Sequence, residues 1–105
     1  MKYKYTLPKE RSFALFDLSG YTYSGFGENQ NVDAHKIIAH GWSGDAETGN
    51  YDRVYLLLSG VLDFKIDEQE FRVSEGEVVI LPKNTKYSYS GDAEIFEVNS
   101  PAFRL

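Results

Sequence analysis

The sequence contains no cysteine, one methionine, one tryptophan, three prolines and two histidines among its 105 residues. Without cysteine there is no disulfide framework, thiolate nucleophile or thiolate metal site, and this absence fits a reducing, cytoplasmic location. The chain also lacks an apolar run of 18 residues and a hydrophobic signal segment. The sequence therefore predicts a protein that neither spans a membrane nor is exported.

Basic residues are scarce as well. Eleven Lys and Arg stand against 16 Asp and Glu, which gives a formal net charge of −5, and the basic residues are dispersed singly. Because an acidic surface repels a phosphate backbone, we expect no nucleic-acid partner. The composition, 42% hydrophobic and 26% charged, is that of an ordinary globular chain. It predicts one domain over residues 1–105.

Helix signals are almost absent from the chain. The one helix-like stretch, 7–13, predicts a single short turn with Pro8 near its start. Two uninterrupted apolar runs, 54–58 and 78–81, are typical of strands buried on both faces. Further short strands are predicted at 3–6, 32–42, 61–66, 71–73, 87–89 and 95–98. Strands this closely spaced predict an all-β antiparallel sandwich or barrel.

Residues 19–29 combine three glycines with three aromatic residues. Two interpretations stay open for this segment. It is either an ordinary connection packed against the sheet or a mobile lid over the mouth of a pocket.

Residues 51–89 resemble the two motifs of the cupin family. The first motif closes with a strand of the form acid, apolar, any, aromatic, two aliphatics, any, glycine, which here runs from Arg53 to Gly60. The second has Gly, five residues, Pro, any, Gly, two residues and His, and here runs from Gly76 to Tyr87 with Asn84 at the second glycine position. The resemblance implies a single-domain cupin, a double-stranded β-helix or jelly-roll-like barrel, with its core motifs at about 44–91.

The sequence departs from these motifs at the positions that bind the metal ion in other cupins. Metal-binding cupins use two His and a carboxylate from the first motif and a His from the second. Here Arg53 takes the carboxylate position, Tyr87 takes the second-motif His position, and Glu47 and Gly49 stand near the paired His. The resemblance therefore implies a metal-independent cupin without a cofactor.

The two histidines, His35 and His40, lie five residues apart in one predicted strand, so they point to opposite faces. Parity alone leaves open which face of strand 32–42 lines the barrel. The more apolar face carries His35, Ile37 and Ala39. The more polar face carries Lys36, Ile38, His40 and Trp42.

The whole chain distantly resembles a small cupin dehydratase of uridyl peptide antibiotic (pacidamycin) biosynthesis, which acts on an oxidised uridine nucleoside without a metal. The shared features are scattered: the opening 2–6, the strand 55–60, Pro82, Tyr89 and the ending 101–103. This resemblance favours the face with His40 and Trp42, although Trp42 stands just after Gly41, where a histidine base is expected.

The predicted site follows from strand alternation and that choice of face. If Arg53 and Tyr87 point inward, so do Tyr55 and Tyr89. We expect His40 to act as the base, since imidazole exchanges protons near neutral pH, and Tyr55 and Tyr89 to act as acid or oxyanion donors. The predicted substrate-binding residues are Arg53, Trp42, Tyr87 and Lys36.

Arg53 requires a partner, because an unpaired guanidinium inside a barrel is costly. One alternative is an anionic or carbonyl group of a ligand, which the planar guanidinium binds at two places. The other alternative is an internal carboxylate, with four candidates: Glu47, Asp52, Glu94 and Glu97.

The predicted site supports two functions for a protein that binds a small nucleoside- or sugar-like ligand. One is a lyase that removes a proton α to a carbonyl and eliminates a β-hydroxyl, or a related sugar isomerase or epimerase. The other is a binding module without chemistry. A third possibility is that the exposed sheet serves as a dimer interface, so that both a monomer and a homodimer stay open.

Overall fold

The computed structural model describes residues 2–103, and this part of the chain consists of eight strands and no helix. The strands are β1 (Phe13–Leu15), β2 (Leu18–Ser24), β3 (Asp33–Trp42), β4 (Ala46–Glu47), β5 (Asp52–Ile66), β6 (Gln69–Ser74), β7 (Val78–Leu81) and β8 (Lys86–Ser100). The prediction of an all-β chain is confirmed. The helical turn predicted over 7–13 is wrong, since this stretch is irregular until β1 begins.

All pairings in the sheet are antiparallel, and the strands follow the order β1-β2-β3-β8-β5-β6. The short strand β4 pairs with β8, and β7 pairs with β5. The described part of the chain contains no helix long and apolar enough to cross a membrane.

The long strand β5 changes face once along its length. Its register against β8 shifts between Leu57 and Ser59, as in a β-bulge. Before the bulge, Tyr55 and Leu57 are buried; after it, Leu62 and Phe64 are buried. One strand therefore contributes to two parts of the core, with odd residues in the first half and even residues in the second.

The two apolar runs differ in the burial of their outward face. In the run 78–81, Val78 and Ile80 are 50% and 66% exposed. In the run 54–58, the outward Val54 and Leu56 are half-buried. The expectation of burial on both faces is therefore wrong for the run 78–81 and only partly met in the run 54–58.

Strand β3 turns its apolar face inward. Ile37 and Ala39 are fully buried in the core, and Lys36 and His40 point to the other side. The preference for the polar face was wrong. The physical reason is that burial of Ile37 and Ala39 removes apolar surface from water.

Most of the glycine- and aromatic-rich segment is strand rather than lid. Residues 18–24 form β2, which pairs with β3. Beyond it, the carbonyl of Gly25 accepts hydrogen bonds from the backbone N–H groups of Glu28 and Asn29 and closes a turn. Residues 19–24 are thus part of the sheet itself, which neither interpretation predicted, and the turn after Ser24 belongs to the connection to β3.

Candidate functional site

Four of the predicted site residues meet inside the barrel. Arg53 and Tyr55 come from β5, and Tyr87 and Tyr89 come from β8, at the odd positions that alternation predicts. Arg53 donates from Nη1 to the Tyr87 hydroxyl at 2.6 Å, and the hydroxyls of Tyr87 and Tyr55 are hydrogen-bonded at 2.9 Å. The guanidinium and these two phenols form a continuous hydrogen-bonded cluster, and the Tyr89 ring packs against both phenols.

The partner of Arg53 is an internal carboxylate. Its Nε lies 3.2 Å from Glu97 Oε1 and donates to Asn99 Oδ1 at 2.7 Å. Its Nη2 donates to the Tyr51 hydroxyl at 3.4 Å. Burial lowers the pKa of Arg53, but Tyr55 and Glu97 raise it by more, so it lies above its usual range. Of the four carboxylates considered, Glu97 supplies the counter-charge.

The three tyrosines are neutral hydrogen-bonding groups. Burial raises the pKa of Tyr55, of Tyr87 and of Tyr89 above the ordinary value of 10.0. The Tyr89 ring stacks on Phe64, with 5.0 Å between ring centroids, and on Tyr87 at 6.4 Å. Within residues 2–103 the buried Tyr89 hydroxyl has no hydrogen-bond partner. It is therefore a buried polar group without a partner among these residues.

A second polar network borders this cluster, and the sequence reasoning missed two of its members. Asn99 is fully buried and donates from Nδ2 to Asp33 Oδ1 at 2.9 Å, while Asp33 pairs with His35 at 3.1 Å. Asn99 and Glu97 share the odd parity of Tyr87 and Tyr89 along β8, and this was the signal that could have found them. No comparable signal marks Asp33.

Three predicted site residues lie outside the barrel interior. His40 is exposed and pairs with Asp92 at 3.2 Å. Lys36 pairs with Glu94 at 3.5 Å on the same outward face of β3. Trp42 is 45% exposed. The predicted cavity containing all of them together with the tyrosines is therefore wrong, because β3 presents its other face to the core.

Trp42 instead borders a cleft of about 520 Å³ that also reaches Tyr89. The indole packs against Phe16 at 5.3 Å between ring centroids, and its backbone N–H donates to Asp17 Oδ2 at 2.9 Å. Strands β5, β6 and β8 supply the rest of the lining: Asp63, Phe64, Lys65, Glu70, Phe71, Arg72, Ser88, Tyr89 and Ser90. The cleft combines one exposed aromatic ring with polar side chains.

The residues at the metal positions of the cupin motifs do not fit a metal ion. Arg53 repels a cation, and Tyr87 already accepts a hydrogen bond from Arg53. Within residues 2–103 there is no group of three or more His, Cys, Asp and Glu side chains that could hold a metal. No metal chemistry is derived for this site.

The fold and the two motif strands define a cupin. The model of one family, described as ethanolamine utilisation protein EutQ, matches residues 42–102. The chain belongs to this family.

Solved structures with the same fold include three whose names are informative. The Streptomyces protein Pac13, described as a unique nucleoside dehydratase, has a TM-score of 0.88 at 21% identity over 99% of this chain and 86% of its own. KdgF from Halomonas sp. has a TM-score of 0.78 at 12% identity, covering 90% and 87% of the two chains. EutQ of Clostridium difficile has a TM-score of 0.69 at 24% identity, covering 81% and 63%. At these identities the likeness concerns the fold.

One curated relative shares more sequence over a shorter stretch. It is the protein of Myxococcus xanthus named endoribonuclease YbeY, which is 31% identical over 75 residues, or 68% of this chain. The matched stretch is 26% of that protein. The chain thus spans about a quarter of the length of this relative.

Proposed function

We propose that this cupin binds a nucleoside- or sugar-like molecule in the cleft beside Trp42. The observation that carries the proposal is the position of the chain's one tryptophan, half-exposed at the edge of a cleft of about 520 Å³. This volume lies within the range of about 300–1,000 Å³ that small-molecule sites occupy. An aromatic side chain exposed in such a place offers a flat surface to a base or a sugar ring.

The surroundings of Trp42 suit a polar ring. Phe16 packs against the indole and supports its orientation. Ser88 and Ser90 line the cleft, and within the described residues their hydroxyls make no hydrogen bond, so they are available to ligand hydroxyls. Asp63 and Arg72 pair at 2.9 Å on another wall and offer both an acceptor and donors.

The fold likeness supports the choice of the first probe. Structures of the Streptomyces protein Pac13 contain uridine. Uridine presents both a planar base and a ribose, which are the two ring types that the cleft suits. It is therefore the probe that the proposal names first, followed by uridine monophosphate and a neutral hexose.

The single tryptophan provides the test. Uridine titrated into the protein, with excitation at 295 nm, is expected to change the Trp42 emission in a saturable manner. A ligand at about 100 times its Kd also stabilises the fold by about 2.7 kcal/mol. Trp42→Ala is expected to weaken binding about fivefold to 100-fold, since stacking on a base contributes about 1–3 kcal/mol.

A matched control removes another exposed aromatic ring. Tyr3 is 84% exposed and lies before the first strand, so Tyr3→Ala is expected to bind the probes like the unmodified protein. Binding is measured by thermal shift, which does not depend on the tryptophan. The proposal fails if no probe produces a saturable signal, or if Trp42→Ala is stabilised as much as Tyr3→Ala.

A lyase is the second candidate, favoured by the fold likeness to a nucleoside dehydratase and by the two acidic residues that line the cleft. In such an elimination a base takes the proton α to a carbonyl, the C–H electron pair forms the new double bond, and the β-hydroxyl leaves as water after protonation. His40 does not line the cleft, so the base would be a carboxylate there, Glu70 or Asp63.

The two candidate bases differ. A hydrogen bond from Arg72 and its charge hold the pKa of Asp63 below its usual range, which makes Asp63 the weaker base. The test incubates an oxidised uridine nucleoside in deuterated water and follows exchange at the carbon α to its carbonyl by NMR. A lyase incorporates deuterium and loses this activity in Glu70→Gln, whereas a binding module incorporates none.

A further inference from the structure

Asp33 is a buried carboxylate with an unusually complete set of partners. Its side chain is 1% exposed. Its Oδ1 accepts from the backbone N–H of Asn99 at 3.1 Å and from Asn99 Nδ2 at 2.9 Å, and it lies 3.1 Å from His35 Nε2. Its Oδ2 accepts from the backbone N–H of Phe103 at 2.6 Å. Four groups from three parts of the chain converge on one side chain.

The chemistry of these partners fixes the orientation of the Asn99 amide. Arg53 can only donate, and it donates from Nε to Asn99 Oδ1 at 2.7 Å. An ionised Asp33 can only accept, and it accepts from Asn99 Nδ2. A rotated amide would face a donor with its nitrogen and an acceptor with its oxygen, so only one orientation satisfies both neighbours.

Asp33 reaches Arg53 from a second direction through the segment that follows β8. The bond to the Phe103 N–H holds Phe103 where its ring meets Tyr51 at 5.4 Å between centroids. Tyr51 in turn covers the guanidinium, whose central carbon lies 5.1 Å from its ring centroid. The guanidinium is thus held by Asn99 at one side and by Tyr51 at another, and both depend on Asp33.

We propose that Asp33 is the positioning residue of the barrel interior, acting on Arg53 through Asn99. Arg53 holds the Tyr87 hydroxyl, which holds that of Tyr55, and Tyr89 packs edge-on against Tyr55 at 5.6 Å between centroids. A change at Asp33 therefore reaches the Tyr89 wall of the cleft without contact with a ligand. Only this last effect rests on the proposed function; the effect on Arg53 requires no ligand.

The direct test observes the Nε–H group of Arg53 by ¹H–¹⁵N NMR. In Asp33→Asn, the new side chain no longer holds the Asn99 amide in one orientation, because it carries a donor as well as an acceptor. We expect the Arg53 Nε–H to exchange with solvent at least about tenfold faster and its chemical shift to move. A positioning role predicts this change, whereas a purely structural role lowers stability and leaves the signal of the folded protein in place.

Asp63→Asn is the matched control. Asp63 accepts from Arg72 Nε at 2.9 Å, so the same carboxylate-to-amide change is made beside a different arginine. We expect it to alter the Nε–H signal of Arg72 and to leave that of Arg53 unchanged. Asp33→Asn is expected to do the reverse. An unchanged Arg53 signal in Asp33→Asn overturns the proposal.

A swapped pair separates positioning from folding. In the double variant Asp33→Asn with Asn99→Asp, the amide at 33 donates to the carboxylate at 99, which still accepts from Arg53. The swap lowers stability, because the backbone N–H of residue 99 loses the acceptor that Asp33 Oδ1 provides, but it restores the hydrogen bond between the two side chains. We expect the exchange of the Arg53 Nε–H to return to within about threefold of the unmodified protein. If Asp33→Asn alone does not fold, the swapped variant provides the test. Fast solvent exchange of the Arg53 Nε–H in the swapped variant then overturns the proposal.

The ligand experiment is kept separate. Uridine binding by Asp33→Asn is compared with that by Asp92→Asn, an exposed carboxylate outside the cleft, and we expect only the former to bind more weakly. If uridine binds neither variant nor the unmodified protein, the proposed function fails and the Arg53 signal still tests the positioning role. If uridine binds all three equally while Arg53 exchange increases, Asp33 positions Arg53 but the effect does not reach the cleft.

Discussion

Arg53 and Glu97 form an ion pair inside the barrel, with 3.2 Å between Nε and Oε1 and side chains only 12% and 7% exposed. Both charges have been removed from water, and each is tolerated because the other is present. Glu97 is thus the internal carboxylate considered as the partner of Arg53, and substrate binding by Arg53 stays a prediction. Recognition of a ligand anion by Arg53 would require it to exchange this partner.

The loss of one member of this pair is expected to be strongly destabilising. Arg53→Met leaves Glu97 buried without a counter-charge, and we expect the free energy of unfolding to fall by about 3–5 kcal/mol. The double variant Arg53→Met with Glu97→Met removes both charges and should lose less. Urea denaturation of the two variants measures the difference. Equal losses in both would contradict a paired, desolvated interaction.

The exposed pair of Arg72 and Asp63 serves as a control for this prediction. Both of its side chains are more than half exposed, so solvent screens the interaction. Arg72→Met is expected to change stability little, and much less than Arg53→Met. A loss as large as that of Arg53→Met would show that burial is not what makes the inner pair important.

The buried tyrosines predict a two-step alkaline titration. Burial raises the pKa of Tyr55, Tyr87 and Tyr89 above 10.0, so below pH 10 both the folded and the unfolded chain keep these phenols neutral. Above pH 10 the unfolded chain ionises and the folded chain does not, so stability falls as the pH rises. Absorbance at 295 nm should show three of the eight tyrosines ionising only on unfolding. Titration of all eight together in the folded protein would contradict the prediction.

Asp33 predicts a loss of stability at acid pH. Burial raises the pKa of Asp33, but hydrogen bonds from His35, Phe103 and Asn99, with the charge of His35, lower it by more, so it lies below 3.8. Its contribution is complete well above pH 3.8 and is lost as the pH falls through the lower folded value. Thermal midpoints between pH 2 and 6 should therefore converge for Asp33→Asn and the unmodified protein at the acid end. Asp92→Asn, at an exposed carboxylate, should show no such convergence.

Gly60 lies next to the bulge of β5, at a position where the fold leaves no room for a side chain. Its φ is +86°, and a Cβ there would overlap the carbonyl oxygen of Asp92 on the adjacent strand. Gly60→Ala is expected to lower stability by more than about 1–2 kcal/mol. Gly27→Ala, where nothing lies within 4 Å, is expected to change it little. Similar thermal midpoints for both variants would disprove this explanation.

Alternation placed Arg53 with Tyr55 on β5 and Tyr87 with Tyr89 on β8, and the cupin motif positions of Arg53 and Tyr87 indicated that these residues point inward. The alternation holds along β8, whereas on β5 the buried positions change from odd to even residues at the bulge. The prediction therefore located the polar cluster, although its roles in binding or catalysis stay predictions.

The face of β3 was not predictable in the same way. His35 and His40 lie on opposite faces, and each face also carries an aliphatic residue, so alternation alone gave two equal solutions. Asp33 was missed for a different reason. Its hydrogen bonds reach Asn99 and Phe103, 66 and 70 residues away, and the alternating pattern of one strand contains no information on such distant partners.

The position of β8 between β3 and β5 has a consequence for biosynthesis. The strand that joins the two halves of the sheet follows the other seven described strands along the chain, because it occupies residues 86–100. Until these residues are synthesised, the nascent chain carries two open edges with unpaired backbone groups, which favour association with other chains. The sheet is thus expected to form completely only after β8 has been synthesised, and until then its open edges require chaperones or rapid synthesis to avoid aggregation.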